Sequence, residues 1–144
     1  MILVTGATGF LGAELVKQLT DSNIAVRAIK RASSTVPAFL QNNPLLTWHL
    51  ADVNETESLA DAFEGITHVY HCAATVSFNP KDKAQLFKIN IEGTANIVNL
   101  CMENNVRLLH VSSIAALGIA KEGQLITEKH FWEYDAKAHN YGFS

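Results

Sequence analysis

Residues 1–12 read Met-Ile-Leu-Val-Thr-Gly-Ala-Thr-Gly-Phe-Leu-Gly and contain a strand pattern followed directly by a turn pattern. Residues 2–4 form a short apolar run, which is typical of a strand buried on both faces of a parallel sheet. Beyond the turn, apolar residues recur at helical spacing from Leu11 to Leu19, with charged and amide side chains on the other side. The turn itself contains three glycines at intervals of three, namely Gly6, Gly9 and Gly12.

Each glycine of this turn has a physical interpretation. At Gly6 the chain leaves the strand at dihedral angles that a Cβ atom would oppose. Gly9 places no side chain between the backbone and an approaching ligand, and Gly12 lets the helix lie close to the strand. The first helical turn then presents N–H groups and the positive end of a dipole to an anion, for which a pyrophosphate is well suited. The alternative is a tight strand–helix turn that binds no nucleotide.

Residues 5–12, Thr-Gly-Ala-Thr-Gly-Phe-Leu-Gly, resemble the cofactor loop of the extended short-chain dehydrogenase/reductases. That superfamily includes sugar-nucleotide epimerases and dehydratases, dihydroflavonol reductases and 3β-hydroxysteroid dehydrogenases. The Gly-x-x-Gly-x-x-Gly spacing differs from that of other dinucleotide folds, and no Gly-Lys-Ser/Thr follows as in an NTPase phosphate loop. The resemblance implies cofactor contacts from Gly6, Thr8, Gly9, Phe10, Leu11 and Gly12.

The size and composition indicate one soluble globular domain that spans residues 1–144. Of the 144 residues, 48% are hydrophobic and 17% are charged, and the net charge of −3 favours neither a nucleic-acid nor a membrane partner. No apolar run approaches the ~20 residues of a transmembrane helix, and the strand at Met1 leaves no room for a signal peptide. Because Cys72 and Cys101 form no Cys-x-x-Cys motif, we interpret both as reduced, packed thiols and predict a cytoplasmic location.

Strand patterns alternate with helical patterns along the chain, which predicts an α/β fold with a doubly wound parallel sheet of the Rossmann type. Strands are predicted at residues 2–4, 25–29, 45–50, 67–72 and 106–112. Right-handed crossovers lead to the strand order 3-2-1-4-5, with a switch point between strands 1 and 4. A dinucleotide is then expected across the carboxyl ends of the strands at that point.

Helices are predicted between these strands. Asn54 and Glu57 match a capping pair for a helix at residues 55–63, and Gly65 is suited to end that helix. Other helices are expected at residues 37–41, at residues 81–103 and towards the end of residues 128–144. Residues 113–123 are interpreted as a loop.

The residues that follow strand 2 bear on the choice of cofactor. In this architecture an acidic residue there accepts a hydrogen bond from the ribose 2′-OH of NAD, whereas a basic residue suits the 2′-phosphate of NADP. The strand ends in Ile29-Lys30-Arg31, without Asp or Glu. Arg31, together with Lys30, is therefore predicted to pair with a phosphate, which favours NADP over NAD. The alternative is that both are solvated loop charges, which leaves NAD open.

Two further stretches match the family, at the ends of strands 3 and 4. Asp52-Val53 resembles the pair that contacts the adenine, which implies that the Asp52 carboxylate takes the exocyclic amino group. Asp52 is also suited to the entry of the next helix. Cys72-Ala73-Ala74 resembles the segment whose small side chains let the backbone run close under the ribose and phosphates of the cofactor.

His68 and His71 lie three residues apart in the fourth predicted strand. Side chains at this spacing point to opposite faces of a sheet, which excludes a shared metal site in regular geometry. We therefore interpret both histidines as structural and predict no metal site.

Asn90 and Gly93 fall within the predicted long helix, although both residue types are unfavourable there. The resemblance implies that Asn90 holds a water or a backbone contact next to the catalytic lysine. The alternative is a tolerated polar residue, with Gly93 allowing close helix packing. Residues 111–118, Val-Ser-Ser-Ile-Ala-Ala-Leu-Gly, resemble the catalytic-serine segment, although a Ser-Ser at a strand end is also a common turn element. The resemblance implies that Ser113 hydrogen-bonds the substrate oxygen and that Ser112 lies beside the nicotinamide.

Tyr141 begins the sequence Tyr-Gly-Phe-Ser, and the family motif is Tyr-x-x-x-Lys. The lysine would therefore be the residue immediately after Ser144, and we interpret the chain as truncated before it, without the C-terminal strands and the substrate region. The resemblance gives Tyr141 a catalytic role and a contact with the cofactor. A tyrosine hydroxyl has a pKa near 10, which the lysine helps to lower in the family. We expect the 144 residues alone to bind cofactor weakly and to turn over little substrate.

The resemblance implies an NAD(P)-dependent oxidoreductase that transfers a hydride from NADPH to the carbonyl carbon of a small molecule, with Tyr141 donating the proton. Residues 26–31, Val-Arg-Ala-Ile-Lys-Arg, and the serine segment are closer to the dihydroflavonol-reductase-like branch. A sugar-nucleotide epimerase or dehydratase is the first alternative. A non-catalytic NADP-binding sensor or partner protein is the second, and a purely structural α/β domain is the third. The sequence is compatible with a homodimer but determines neither the oligomeric state nor the substrate.

Overall fold

A computed structural model describes residues 1–117, 123, 125–128 and 144 of the chain, and its centre is a single parallel sheet. Within these residues five strands pair in the order 3-2-1-4-5. The strands are β1 (Ile2–Thr5), β2 (Val26–Lys30), β3 (Leu46–Leu50), β4 (His68–His71) and β5 (Arg107–His110). The predicted fold class and strand order are confirmed, and each strand lies within two residues of its predicted bounds.

Helices connect the strands as crossovers. The α-helices are α1 (Phe10–Asp21), α2 (Thr56–Ala62), α3 (Lys83–Leu86) and α4 (Thr94–Glu103). A π-helix (Phe87–Gly93) joins α3 to α4, and 3-10 turns occur at Ala38–Leu40, Pro80–Asp82 and Ile114–Leu117. None of the helices in the described part of the chain has the length and apolar character that a membrane crossing requires.

Two apolar layers cover the two faces of the sheet. On one face Leu3 and Ile29 of the sheet pack with Leu59 of α2 and Ile97 of α4. On the other face a second cluster joins β1 and β2 to α1 and to the 3-10 turn before β3; its buried members include Val4, Val16, Val26, Ala28 and Leu40. Each fully buried Leu, Ile or Val contributes ~1.5–3 kcal/mol, and apolar layers on both faces explain why β1 begins with the apolar run Ile2-Leu3-Val4.

The helical region before β5 differs from the prediction of one helix over residues 81–103. It begins with a 3-10 turn, continues as α3 and widens into the π-helix before α4. The physical reason lies in tertiary contacts of the π-helix. Asn90 hydrogen-bonds the backbone of Thr75, and a Cβ on Gly93 would lie 2.7 Å from Val53 Cγ2. The helical periodicity of the sequence reports only contacts along one helix, so it could not predict these contacts with Thr75 and Val53.

The entry of α2 also differs from the prediction. The N-cap is Glu55, which makes no side-chain capping bond, so the predicted capping pair of Asn54 and Glu57 is wrong. Instead the backbone N–H and Nδ2 of Asn54 both donate to Asp52 Oδ1, at 2.9 Å and 3.1 Å. Asn54 therefore belongs to the turn before the helix, where the Asp52 carboxylate holds its backbone and its side chain.

Three further predictions concern the residues after Ser113, the end of α2 and the end of the chain. Residues 114–117 form a 3-10 turn where a loop was expected, because Ser113 Oγ accepts the Ala115 N–H at 3.2 Å and closes the turn. Gly65, with φ +69°, follows the last turn of α2 as predicted for a helix end. The helix expected towards the end of residues 128–144 lies outside the described residues apart from its two terminal positions.

Candidate functional site

The glycine-rich turn brings the exits of β1 and β4 into direct contact. Gly6 has φ +66°, and a Cβ at this position would lie 2.7 Å from the backbone N of Ala73 and 2.7 Å from the carbonyl of Cys72. The Gly9 N–H donates to Gly6 O at 2.9 Å and closes the turn. The conformation and the close approach therefore both require glycine at position 6.

The start of α1 lies on this turn rather than on the strand, where Gly12 was expected to help it pack. A Cβ on Gly12 would lie 2.7 Å from the carbonyl carbon of Gly6. The first backbone bond of the helix runs from the Ala13 N–H to Gly9 O at 2.9 Å, and no side chain caps the end. The N–H groups of Phe10, Leu11 and Gly12 thus have no acceptor among the described residues, which leaves them available to an anion.

A first cavity of about 250 Å³ lies in front of this turn, across the carboxyl ends of β1 to β4. It brings together most of the residues predicted to contact the cofactor. These are Gly6, Thr8, Gly9, Lys30, Arg31, Asp52, Val53, Cys72, Ala73 and Ala74. Four separate loops, each following a different strand, therefore converge on one space.

A second cavity of about 190 Å³ adjoins the first and shares Cys72, Ala73 and Ala74 with it. Asn90, Ser112 and Ser113 line this second cavity, which we call the serine cavity. The two cavities extend from the end of β3 to the end of β5 over a common floor, residues 72–74. The site therefore has a basic end and a serine end.

Three polar anchors hold the floor and the residue after it. Thr5 Oγ1 accepts a hydrogen bond from the Ala73 N–H at 3.1 Å. Asn90 Oδ1 accepts from the Thr75 N–H at 2.8 Å, and Asn90 Nδ2 donates to Thr75 O and to Ser144 Oγ, each at 2.9 Å. The π-helix thus places Asn90 where its side chain satisfies both backbone groups of Thr75.

His71 is buried beside the floor and makes two hydrogen bonds. Its Nδ1 lies 2.6 Å from Thr5 Oγ1 and its Nε2 lies 3.0 Å from Thr94 Oγ1. Burial, and secondarily the neighbouring His110, lower the pKa of His71 from 6.5 to about 4. His68, by contrast, is exposed. In the described part of the chain no three potential metal-ligating side chains group together.

Lys30 and Arg31 form the basic end of the first cavity, and no acidic residue follows β2 there. The Arg31 side chain is exposed and makes no ion pair or hydrogen bond within the described residues. The Asp52 carboxylate, across the cavity, receives both of its hydrogen bonds on Oδ1, so Oδ2 keeps its capacity to accept. The Cys72 thiol of the floor has its pKa raised by burial and stays protonated near neutral pH.

Some predicted site residues do not line either cavity. The side chain of Phe10 points into solvent with 98% of its surface exposed, Leu11 is half exposed, and Gly12 is buried in the turn. Only their backbone N–H groups, which have no acceptor among the described residues, remain available to a ligand. Tyr141 lies outside the described residues.

Sequence reasoning missed several lining residues. In the first cavity these are Ile29, Ser34, Ala51, Thr75 and Ile89, and in the serine cavity they are Thr94, His110, Val111, Ala116 and Ser144. A usable signal existed for His110, since a polar residue that ends an apolar strand lies at the carboxyl edge. Thr94 carried no such signal, because its contact with His71 depends on how α4 packs against β4.

Comparison with known proteins identifies the family of this chain. The NAD dependent epimerase/dehydratase family matches over residues 2–142. A putative dihydroflavonol 4-reductase of Synechocystis is 38% identical over 128 residues, which cover 88% of this chain and 36% of that protein. Sterol demethylase protein B of Methylococcus capsulatus is 38% identical over 122 residues, which cover 84% of this chain and 37% of that protein. The chain thus spans a little over a third of the length of these curated relatives.

Two solved structures that contain NAD have folds similar to that of this chain. A short-chain dehydrogenase/reductase superfamily protein from Agrobacterium tumefaciens with bound NAD superimposes with a TM-score of 0.81 at 26% identity, covering 99% of this chain and 41% of that chain. MoeE5 in complex with UDP-glucose and NAD superimposes with a TM-score of 0.82 at 27% identity, covering 99% of this chain and 44% of that chain. The resemblance found in the sequence is thereby confirmed, and the chain belongs to the NAD-dependent epimerase/dehydratase family.

Proposed function

We propose that this chain is the cofactor-binding part of an NADPH-dependent reductase that acts on a carbonyl group. The observation that carries the proposal is the pair of adjoining cavities. One ends at Lys30 and Arg31, where a phosphate would be recognised, and the other ends at Ser112 and Ser113, where a polar substrate atom would be held. A nicotinamide dinucleotide has both the length and the polarity pattern to join these two ends.

The residues present fit such a cofactor. The turn at Gly6 packs directly against the floor, because a Cβ on Gly6 would lie 2.7 Å from backbone atoms of Cys72 and Ala73, and the N–H groups at the start of α1 suit a diphosphate. Asp52 Oδ2 would accept from the adenine amino group, and the small side chains of Ala73 and Ala74 would leave room for the cofactor.

The basic end of the first cavity favours NADP over NAD. Arg31 has no partner among the described residues, so its guanidinium is available to a 2′-phosphate. Ser34, which also lines this end, adds a hydroxyl donor. The absence of a carboxylate between Lys30 and Gln41 removes the usual acceptor for an unmodified ribose.

The chemistry of the reaction would be divided between cofactor and protein. When bound, the cofactor supplies the hydride. Ser113 would hold the oxygen of the substrate, and Tyr141 would donate a proton to it. Asn90 would keep the floor in place, because it satisfies both backbone groups of Thr75.

A titration of the purified protein with NADPH and with NADH tests the choice of cofactor. We expect NADPH to bind at least ten times more tightly, and we expect Arg31→Gln to remove most of that preference, because a charge-assisted hydrogen bond contributes ~1.5–3 kcal/mol. Arg107→Gln is the matched control, since Arg107 is also exposed but begins β5 at the opposite edge of the sheet. Equal binding of both cofactors, unchanged in Arg31→Gln, would contradict the proposal.

A sugar-nucleotide epimerase or dehydratase is the second candidate, because MoeE5 was solved with UDP-glucose and NAD. The same protein can be titrated with UDP-glucose in the presence of each cofactor. Saturable binding of UDP-glucose together with tighter binding of NADH would favour this candidate. Reduction of simple ketones or aldehydes with NADPH by the complete enzyme would favour the reductase.

A further inference from the structure

A row of polar side chains crosses the carboxyl end of the sheet beneath the two cavities. Thr5, His71 and His110 are register neighbours on β1, β4 and β5, so their side chains lie on the same face. Thr5 and His71 are both fully buried, and the rings of His71 and His110 stack with their centroids 5.3 Å apart. Buried hydroxyl and imidazole groups are kept only where their hydrogen bonds are satisfied.

The donors and acceptors in this row determine the direction of each hydrogen bond. Thr5 Oγ1 accepts from the Ala73 N–H, which can only donate. The hydroxyl hydrogen of Thr5 then needs an acceptor, and His71 Nδ1, 2.6 Å away, is the one that the described residues offer. If Nδ1 carried a proton, the Thr5 hydroxyl would be a buried donor without an acceptor in this part of the chain.

The other ring nitrogen completes the chain of hydrogen bonds. A neutral imidazole with a bare Nδ1 carries its proton on Nε2. His71 Nε2 therefore donates to Thr94 Oγ1 at 3.0 Å. Because Thr94 Oγ1 accepts from the ring, its own hydrogen points away from the ring, and Thr94 lines the serine cavity.

The surroundings of His71 favour this neutral form at physiological pH. The groups packed against the ring are the hydroxyls of Thr5 on β1 and Thr94 on α4, together with the His110 ring on β5. Within the described residues no carboxylate pairs with His71. Burial and His110 together keep its pKa near 4, well below its ordinary value.

We propose that His71 is a positioning residue of the site, which aligns the Thr5 and Thr94 hydroxyls into one directed chain from the Ala73 amide to the serine cavity. Through Thr5 it holds the floor on which the cofactor would rest. Through Thr94 it presents a hydroxyl donor to whatever occupies the serine cavity. The role at the floor rests on the proposed function, whereas the hydrogen-bond chain itself does not.

NMR of uniformly ¹⁵N-labelled protein at pH 7, without cofactor, tests the chain directly. We expect His71 to have its proton on Nε2, and we expect that proton to exchange at least ten times faster with water in Thr94→Val. The Ala73 amide should exchange at least ten times faster in Thr5→Val and within twofold of the wild-type rate in Thr5→Ser. A proton on Nδ1, or unchanged exchange in both valine variants, would overturn the inference.

Binding measurements then test the effect on the floor. NADPH should bind about ten times more weakly to Thr5→Val and to His71→Phe, and nearly normally to Thr5→Ser and to the control His68→Gln, whose side chain is exposed on the same strand. Full affinity in Thr5→Val would overturn the role at the floor. If the wild-type protein binds neither NADPH nor NADH, the proposed function fails, while the NMR experiment still decides the hydrogen-bond chain.

Discussion

Gly6 and Gly65 show how one backbone conformation can have different consequences at two positions. Their φ angles are +66° and +69°, so a side chain is disfavoured at both. A Cβ on Gly6 would meet backbone atoms of Cys72 and Ala73 at 2.7 Å, whereas a Cβ on Gly65 would have nothing within 4 Å. The two positions therefore separate the conformational contribution of glycine from the packing contribution.

The first prediction compares alanine at these two glycines. Gly65→Ala should lower the free energy of unfolding by ~1 kcal/mol, the usual effect of a positive φ. Gly6→Ala should lower it by ~3 kcal/mol or more, because the obstructing atoms are backbone and cannot rotate away. Urea unfolding measures both values. Equal losses of unfolding free energy in the two variants would show that Gly6 does not pack tightly against the floor.

His71 provides a second prediction at this scale, for the dependence of stability on pH. Its pKa is about 4 in the folded protein and 6.5 as the ordinary value, so the unfolded chain binds its proton first as the pH falls. The contribution is complete above pH 6.5 and is lost between pH 6.5 and pH 4, by ~3 kcal/mol at ~1.4 kcal/mol per pKa unit.

Urea unfolding at several pH values between 7 and 4 measures this loss. His71→Phe removes the titrating group and should flatten the curve in that range, while His68→Gln should leave its shape unchanged because that side chain is exposed. An equally steep decline in His71→Phe would assign the effect to other groups.

At the scale of elements, the helical region between β4 and β5 shows tertiary packing overriding local preference. Helix propensity disfavours glycine by ~1 kcal/mol relative to alanine. Gly93 nevertheless ends the π-helix, where a Cβ would lie 2.7 Å from Val53 Cγ2 and 3.2 Å from Val53 Cβ. The helix therefore approaches the loop after β3, and Val53 in turn lines the first cavity.

The third prediction is that Gly93→Ala destabilises the protein by ~1 kcal/mol despite the better helix propensity, because overpacking of ~1–3 kcal/mol outweighs it. Val53→Ala makes room for the added methyl group. In a double-mutant cycle the two substitutions should therefore show a favourable coupling of at least ~1 kcal/mol. Additive losses would mean that the two residues do not meet.

At the scale of the whole molecule, the order of the strands creates the site. Because β1 and β4 are neighbours whose crossovers cover opposite faces, their loops separate at the carboxyl edge and leave a crevice. Both cavities lie along that crevice. Their lining residues come from loops after β1, β2, β3, β4 and β5, so ligand binding would tie together most of the fold.

The fourth prediction follows from this arrangement. NADPH at a hundred times its Kd should stabilise the folded protein by ~2.7 kcal/mol, which a thermal-shift measurement detects as a rise in Tm of several degrees. Gly6→Ala should lose the rise, since the added methyl group would clash with the backbone of Cys72 and Ala73 and displace the floor. Arg107→Gln should keep it. No shift with either cofactor at millimolar concentration would contradict cofactor binding.

The sequence was sufficient for the fold and for most of the residues that line the first cavity. Alternation of strand and helix patterns is local, and so is the strand–glycine–helix order at residues 1–12. Parallel strands bring their carboxyl ends to one edge of the sheet. The sequence alone therefore predicts that Arg31, Asp52 and Ser113 lie along the same edge.

Only the tertiary structure decided how the interior of the site is held. The hydrogen bond between Thr5 and His71 joins residues 66 positions apart, and the bond between Asn90 and Thr75 depends on the π-helix. The turn at Asp52 and Asn54 likewise replaced the expected helix cap. The physical reason is the same in each case. A polar side chain has several acceptable partners in sequence, and the packing of the sheet against the helices determines which one lies within reach.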